Sequence, residues 1–298
     1  MGGTASISTE QGDPAGSSPA RLGEIVAGVP QRIGSGFAAT HFSEDSFAGR
    51  MDPLLMVDHF VMTAPTFEPH LHAGISAVTA VFEDAEGQFH NRDSLGNDLE
   101  LGAGDLYWLA AAGGAVHEEL PMPGARIHAL QIFVNLPAAL KKASPRTLHV
   151  RAAEVPVFAA PGTRVRVVLG SSGELAGAQG TPEEMTLLDG SLGEGAGFSH
   201  RLPEGRHAWI YAVSGRLALR CGNEVLVLEA GHATTVAAGP AIAIELEAAA
   251  ASTHFVLMAA KPIREPFVKH GPLVMSTVED VRSTLAAYAD GRLGRIPG

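Results

Sequence analysis

Apolar residues in this chain fall into short runs separated by turn formers, with little of the spacing that marks amphipathic helices. Ile75–Phe82, Leu106–Leu109 and Ile127–Val134 are such runs, the last rich in β-branched and aromatic side chains. Gly87, Asn97 and Gly104 lie between them, where tight or left-handed backbone is needed. A polar, proline-containing connection follows Val134. The pattern then resumes with Val165–Leu169, Met185–Leu188, Ala208–Val213, Leu217–Leu219, Val225–Leu228, Ile242–Leu246 and Phe255–Met258. Many short strands at close spacing predict barrels or sandwiches. One helix is predicted near the end, with Thr277 as N-cap, acidic residues in its first turn and Gly291 as its stop. The expectation is an all-β chain of two barrels with a C-terminal helix. Residues 1–21 would be a flexible tail, 22–143 the first barrel, and 144–298 the second barrel plus the helix.

Composition adds exclusions. The chain has 298 residues, 46% hydrophobic and 18% charged, which is ample for one large or two ordinary cores. Its formal net charge of -11 would repel a phosphate backbone, and no local run of Lys and Arg offsets this. Direct nucleic-acid binding is therefore not expected. Cys221 is the single cysteine, so no intramolecular disulfide can form. The first residues lack the basic start and apolar run of a signal peptide, and no stretch approaches a membrane span. A cytoplasmic protein is the expectation.

Candidate chemistry is concentrated in two short pieces. His70 and His72 are two apart, so an extended strand presents both imidazoles on one face. His117 and Glu119 repeat that spacing, with Glu118 turned to the other face. The pairs lie about 45 residues apart in one predicted barrel. Three imidazoles and a carboxylate suit divalent iron, manganese, nickel, copper or zinc, and affinity alone does not choose among them. Around an octahedral ion such a set leaves two positions open for exogenous ligands.

These pieces resemble the two motifs of the cupin superfamily, and the surrounding text resembles the pirin family. The resemblance is carried by Met51-Asp52-Pro53 through Val57-Asp58-His59-Phe60, His70-Leu71-His72-Ala73-Gly74, and Asp93-Ser94-Leu95-Gly96-Asn97. It continues through Gly104-Asp105-Leu106-Tyr107-Trp108, Gln131 to Pro137, and the tail from Pro262 to Met275. It implies a bicupin whose N-terminal barrel binds Fe(II) through His70, His72, His117 and Glu119, other divalent transition metals being alternatives. It also implies a flavonol (quercetin) 2,3-dioxygenase-type activity on a small flavonol- or catechol-like substrate with O2, Glu119 doubling as catalytic base. Two alternatives stay open: an iron-dependent regulatory protein acting through a protein partner, and another metal-dependent cupin enzyme such as an isomerase. Ala73 stands where pirins commonly have Arg, Ser76 where a Glu is usual, and Phe133 where a Trp is usual. The first two replacements are expected to alter charge and polarity beside the metal.

The second half carries no matching pairs. His200 and His207 are seven apart, and the stretch after Gly231 lacks a His-x-Glu. A single metal site is expected. Trp108 reads as core, Cys221 as a small buried hydrophobe, and Asp93–Asn97 as a turn. Gly102–Gly104 reads as a hairpin turn, and His59 and His90 are candidates for orienting the ligands.

Overall fold

The turn formers cut the chain into short strands as expected, and the strands pair antiparallel throughout the four main sheets. The computed structural model describes residues 21–250 and 252–296. The segment read as a flexible tail lies outside the described residues apart from Arg21. Arg21 is anchored: its backbone N–H donates to Glu224 and its guanidinium to the carbonyls of Ala237 and Pro240.

The first half builds a seven-stranded sheet in the order Arg146–Val150, Leu106–Ala110, Ile75–Val81, Ile127–Asn135, Leu54–Met62, Phe37–Ser43, Val29–Ile33. A four-stranded sheet faces it, ordered His70–His72, Ala115–Pro121, Phe89–Asp93, Asp98–Leu101. The second half repeats the plan. Its larger sheet runs Val26–Ala27, His232–Val236, His207–Ser214, Thr253–Ala260, Met185–Leu192, Thr163–Leu169, Val157–Ala160. Its smaller one runs Gly197–Leu202, Ile242–Ala248, Arg216–Cys221, Glu224–Glu229. The edge strand Val26–Ala27 is thus carried by the second half's sheet, while Arg146–Val150 completes the first.

Alternation along the strands sorts side chains into three layers. Between the two large sheets lies the biggest core, with Val57, Val78, Trp108 and Ile132 meeting Leu187, Trp209, Val256 and Met258. Phe42 packs edge-on against Trp209 and Tyr211, with ring centroids 5.5 and 5.1 Å apart. The second barrel's lumen is filled by aliphatic residues, among them Val165, Leu188, Ile210, Leu246 and the buried Cys221. The first barrel's lumen is apolar only at one end, around Phe60, Phe89, Leu101 and Leu109. Its other end holds the histidines.

The C-terminal segment returns to the first barrel. Strands Val268–His270 and Leu273–Met275 lead into the helix Val278–Ala289, capped by Thr277 accepting from the Asp280 N–H at 3.1 Å. Leu273, Met275 and Val281 cover Leu71, Ala73 and Val116, the outward residues of the histidine-bearing strands. Buried Lys141 ties this strap down, its ammonium donating to the carbonyls of Gly74 and Val274 at 2.8 Å and to Asn135 at 2.6 Å. Gly74 has φ of 73°, and a Cβ there would fall 1.9 Å from the Val274 carbonyl oxygen, so only glycine allows the strap to seat.

Gly102–Gly104 departs from its expected role. Asp98–Leu101 pairs with Phe89–Asp93, and Leu106–Ala110 pairs in the large sheet, so this turn carries the chain between sheets rather than closing a hairpin. Asp93 does organise the turn read at 93–97, accepting from the backbone of Leu95 and Asn97 and from the Tyr107 hydroxyl.

Candidate metal centre

His70–His72 is a three-residue strand paired antiparallel with Ala115–Pro121. His117 lies opposite His70, Val116 opposite Leu71, and Ala115 opposite His72. Pleating turns all three histidines into the lumen and sends Leu71 and Val116 outward. The rings form a near-equilateral triangle, with centroids 4.8, 4.8 and 4.7 Å apart. One ring nitrogen from each lies within 4.8 Å of the others, the only such group of three among the described residues.

Burial makes two of these rings, His72 and His117, neutral. His72 is pushed down to about 3, first by desolvation and then by His70, and His117 goes well below its ordinary value through desolvation and its two histidine neighbours. Yet Nε2 of His72 and Nε2 of His117 sit 2.9 Å apart, and two neutral rings can place at most one proton between them. His70 Nδ1 lies 2.9 Å from the Glu68 carbonyl, so it donates there and leaves Nε2 to face the lumen. Imidazoles converging nitrogen-first are the donor set a divalent transition metal takes. The residues present fit such an ion.

Glu119 lines the same cavity but stands outside the three-histidine group. Its Oε1 accepts from the Thr79 hydroxyl at 2.6 Å. Desolvation pushes its carboxyl up to about 7, against the downward pull of Thr79. A bound cation would reverse that shift. Glu118 turns outward as its parity requires and pairs with Arg92 at 2.5 Å.

The cavity measures about 160 Å³, room for a small flat molecule but not for a polymer. Phe37, Phe60, Phe67, Phe89 and Phe133, with Met56 and Met62, supply its apolar wall, and Phe133 meets His72 edge-on at 5.0 Å. Asp58 and Gln131 add polar lining. Burial raises the Asp58 carboxyl while its partner His41 pulls it back. Sequence reading left out Thr79, Gln131 and His41, whose side chains gain meaning only through sheet register.

Several expectations are corrected here. Ala73 is fully buried among Leu71, Leu273 and Met275, beneath the C-terminal strap rather than in the cavity. Ser76 shares the face of Val78 and Ala80, toward the core between the barrels. Neither replacement therefore changes the cavity lining. His59 faces Tyr211 and His128 at that same core, and His90 pairs with Asp98 at a strand edge, so neither orients a ligand. Trp108 is core, 1% exposed. In the second barrel, His200 is bonded to Ser172 and joins no third donor among the described residues.

The pirin family model matches residues 29–134, and the model of the pirin C-terminal cupin domain matches residues 187–294. Mouse pirin is 31% identical over 82% of this chain and 83% of its own length. The chain belongs to the pirin family. As in other pirins, it therefore comprises two cupin domains. A Pseudomonas aeruginosa protein provisionally named quercetin 2,3-dioxygenase is 30% identical over 91% of this pirin and 96% of its own length. Among solved structures, a quercetin 2,3-dioxygenase from Acinetobacter baumannii superposes with a TM-score of 0.81 at 25% identity, covering 93% of this chain and 99% of its own. A bacterial pirin from Escherichia coli in complex with nickel(II) shares the fold, with a TM-score of 0.60 at 21% identity, over 80% of this chain and all of its own. No helix among the described residues is long and apolar enough to cross a membrane.

Proposed function

We propose that this pirin is an Fe(II)-dependent flavonol 2,3-dioxygenase-type enzyme with one metal site, formed by His70, His72, His117 and Glu119 in the N-terminal barrel. The observation that carries the reading is the convergence of three imidazoles, beside a buried carboxylate, at the floor of a cavity lined by phenylalanines. The quercetin dioxygenase names borne by two of its relatives support the substrate class. Its single buried cysteine fits a reducing, cytoplasmic setting.

Bound there, Fe(II) would supply redox activation of dioxygen and Lewis acidity toward an enolic oxygen. The chain's own residues do the rest. The ring of Phe133 against His72, and the Glu68 carbonyl on His70, hold the imidazoles in their orientations. The phenylalanines exclude water and offer flat faces to an aromatic substrate. Glu119 is the base for the flavonol hydroxyl proton, with Thr79 holding one carboxylate oxygen so that the other faces the cavity's contents.

Oxygen-electrode assays of iron-loaded protein with a panel of flavonols and catechols test the reading. Oxygen uptake with bleaching of the flavonol absorbance and release of carbon monoxide is expected, and it should collapse in Glu119→Gln. Fully loaded protein that takes up no oxygen with any of them would move the assignment to an iron-dependent regulatory role. Product formed without oxygen would point to a metal isomerase.

A further inference from the structure

The cavity has a second polar pole that metal binding does not use. Asp58, on Leu54–Met62, and His41, on Phe37–Ser43, are register partners, and His41 Nδ1 lies 2.6 Å from Asp58 Oδ1. Asp58 shares its lumen face with Met56, Phe60 and Met62, while Val57 and His59 point to the opposite core. Across the sheet Asp58 pairs with Gln131, and Gln131 with Thr79, whose hydroxyl donates to Glu119. One rung of the large sheet thus sets polar groups between the metal end and His41, within an otherwise apolar wall.

A carboxylate on an aromatic-lined face carries a desolvation cost that an apolar side chain would avoid. His41 occupies only one of its oxygens. Among the described residues nothing donates to Asp58 Oδ2, although the group is largely withdrawn from solvent. Asp58 lines the cavity, and its second oxygen can accept one more hydrogen bond. We infer that Asp58, oriented by His41, is the specificity-determining acceptor for a ring hydroxyl on the end of the aromatic ligand remote from the metal. The inference rests on the reading of this cavity as an aromatic-substrate site. Asp58 selects for hydroxylation pattern, and His41 is a positioning residue.

Binding without turnover separates this from the oxygen chemistry. Zinc-loaded protein under nitrogen is titrated calorimetrically with two flavonols, one bearing a catechol as its pendant ring and one with that ring unsubstituted. The native protein should prefer the catechol form. A hydrogen bond to a charged acceptor is worth about ten- to a hundredfold in affinity, so Asp58→Leu should lose roughly that factor of preference. Asp58→Asn, which keeps an acceptor without the charge, and His41→Gln should lose part of it. All three should retain the metal content of the native protein, which a collapsed site would not. Equal affinity of the native protein for both flavonols overturns the inference, a measurement that needs no variant to fold. So does binding of neither flavonol, or an unchanged preference in Asp58→Leu. Absence of oxygen uptake by the iron-loaded protein would instead sink the dioxygenase reading and leave this result standing.

Discussion

Acid should weaken the interface between the barrels through His59. This imidazole lies in the core between the large sheets, its Nδ1 2.7 Å from the Tyr211 hydroxyl and its Nε2 2.6 Å from Nε2 of His128, whose Nδ1 meets Asp84 at 2.7 Å. Burial, with His128 and His254 nearby, pushes His59 from 6.5 down to about 3. Between those values the unfolded chain binds a proton that the folded chain refuses, so stability rises with pH across the window and is lost as pH falls below 6.5. At about pH 5, roughly 1.5 units into the window at about 1.4 kcal/mol per unit, His59 alone costs ~2 kcal/mol relative to about pH 8. His59→Gln removes the titration while keeping a polar side chain. It should be less stable near neutrality, by about 1–3 kcal/mol for the disturbed bonds to Tyr211 and His128. Its further loss on acidification should nevertheless be smaller than that of the native protein, by ~2 kcal/mol. The metal-site histidines are common to both proteins and cancel in the difference. Urea unfolding followed by tryptophan fluorescence at the two pH values measures it. Equal acid losses, within about half a kcal/mol, would refute the claim that this ring is held neutral in the fold.

Two substitutions near the metal should behave unlike their neighbours. Glu118→Ala should leave metal content unchanged but cost about 1.5–3 kcal/mol in thermal stability, because its buried carboxylate points away from the cavity and accepts from the Arg92 guanidinium. Ala73→Arg should destabilise the fold by ~3 kcal/mol or more in chemical denaturation, since it forces a charge into the packed layer under Leu273 and Met275. An Ala73→Arg protein of native stability with altered substrate preference would place that side chain in the cavity instead.

The shared face of the candidate metal donors was legible because strand parity is a local property. Spacing of two within an extended run brings His70 and His72 to one face, and likewise His117 and Glu119, whatever the sheet does. The barrels were legible for a similar reason, since turn formers at close intervals leave room only for short strands. What required the structure is register between distant strands. Asp58, Gln131 and Thr79 lie on one rung through pairings among three strands, with Asp58 and Gln131 lying 73 positions apart, and nothing local marks them as neighbours. Ala73 and Ser76 misled because nearness in sequence to a ligand was read as nearness to the cavity. Parity with Leu71 sends Ala73 under the C-terminal strap, and the pleat of Ile75–Val81 sends Ser76 to the core between the barrels. His59 was read as a ligand-orienting residue because its actual partners Tyr211 and His254 belong to the other barrel and leave no local mark.

A single metal ion held by the three converging histidines and Glu119 can be counted by elemental analysis of metal per chain, after anaerobic loading with Fe(II) and removal of excess. About one ion per chain is predicted for the native protein, with near-complete loss in His70→Ala, His72→Ala and His117→Ala while the circular dichroism of the barrels is kept. An iron-free native protein, about two ions per chain, or full occupancy in the histidine variants would contradict it.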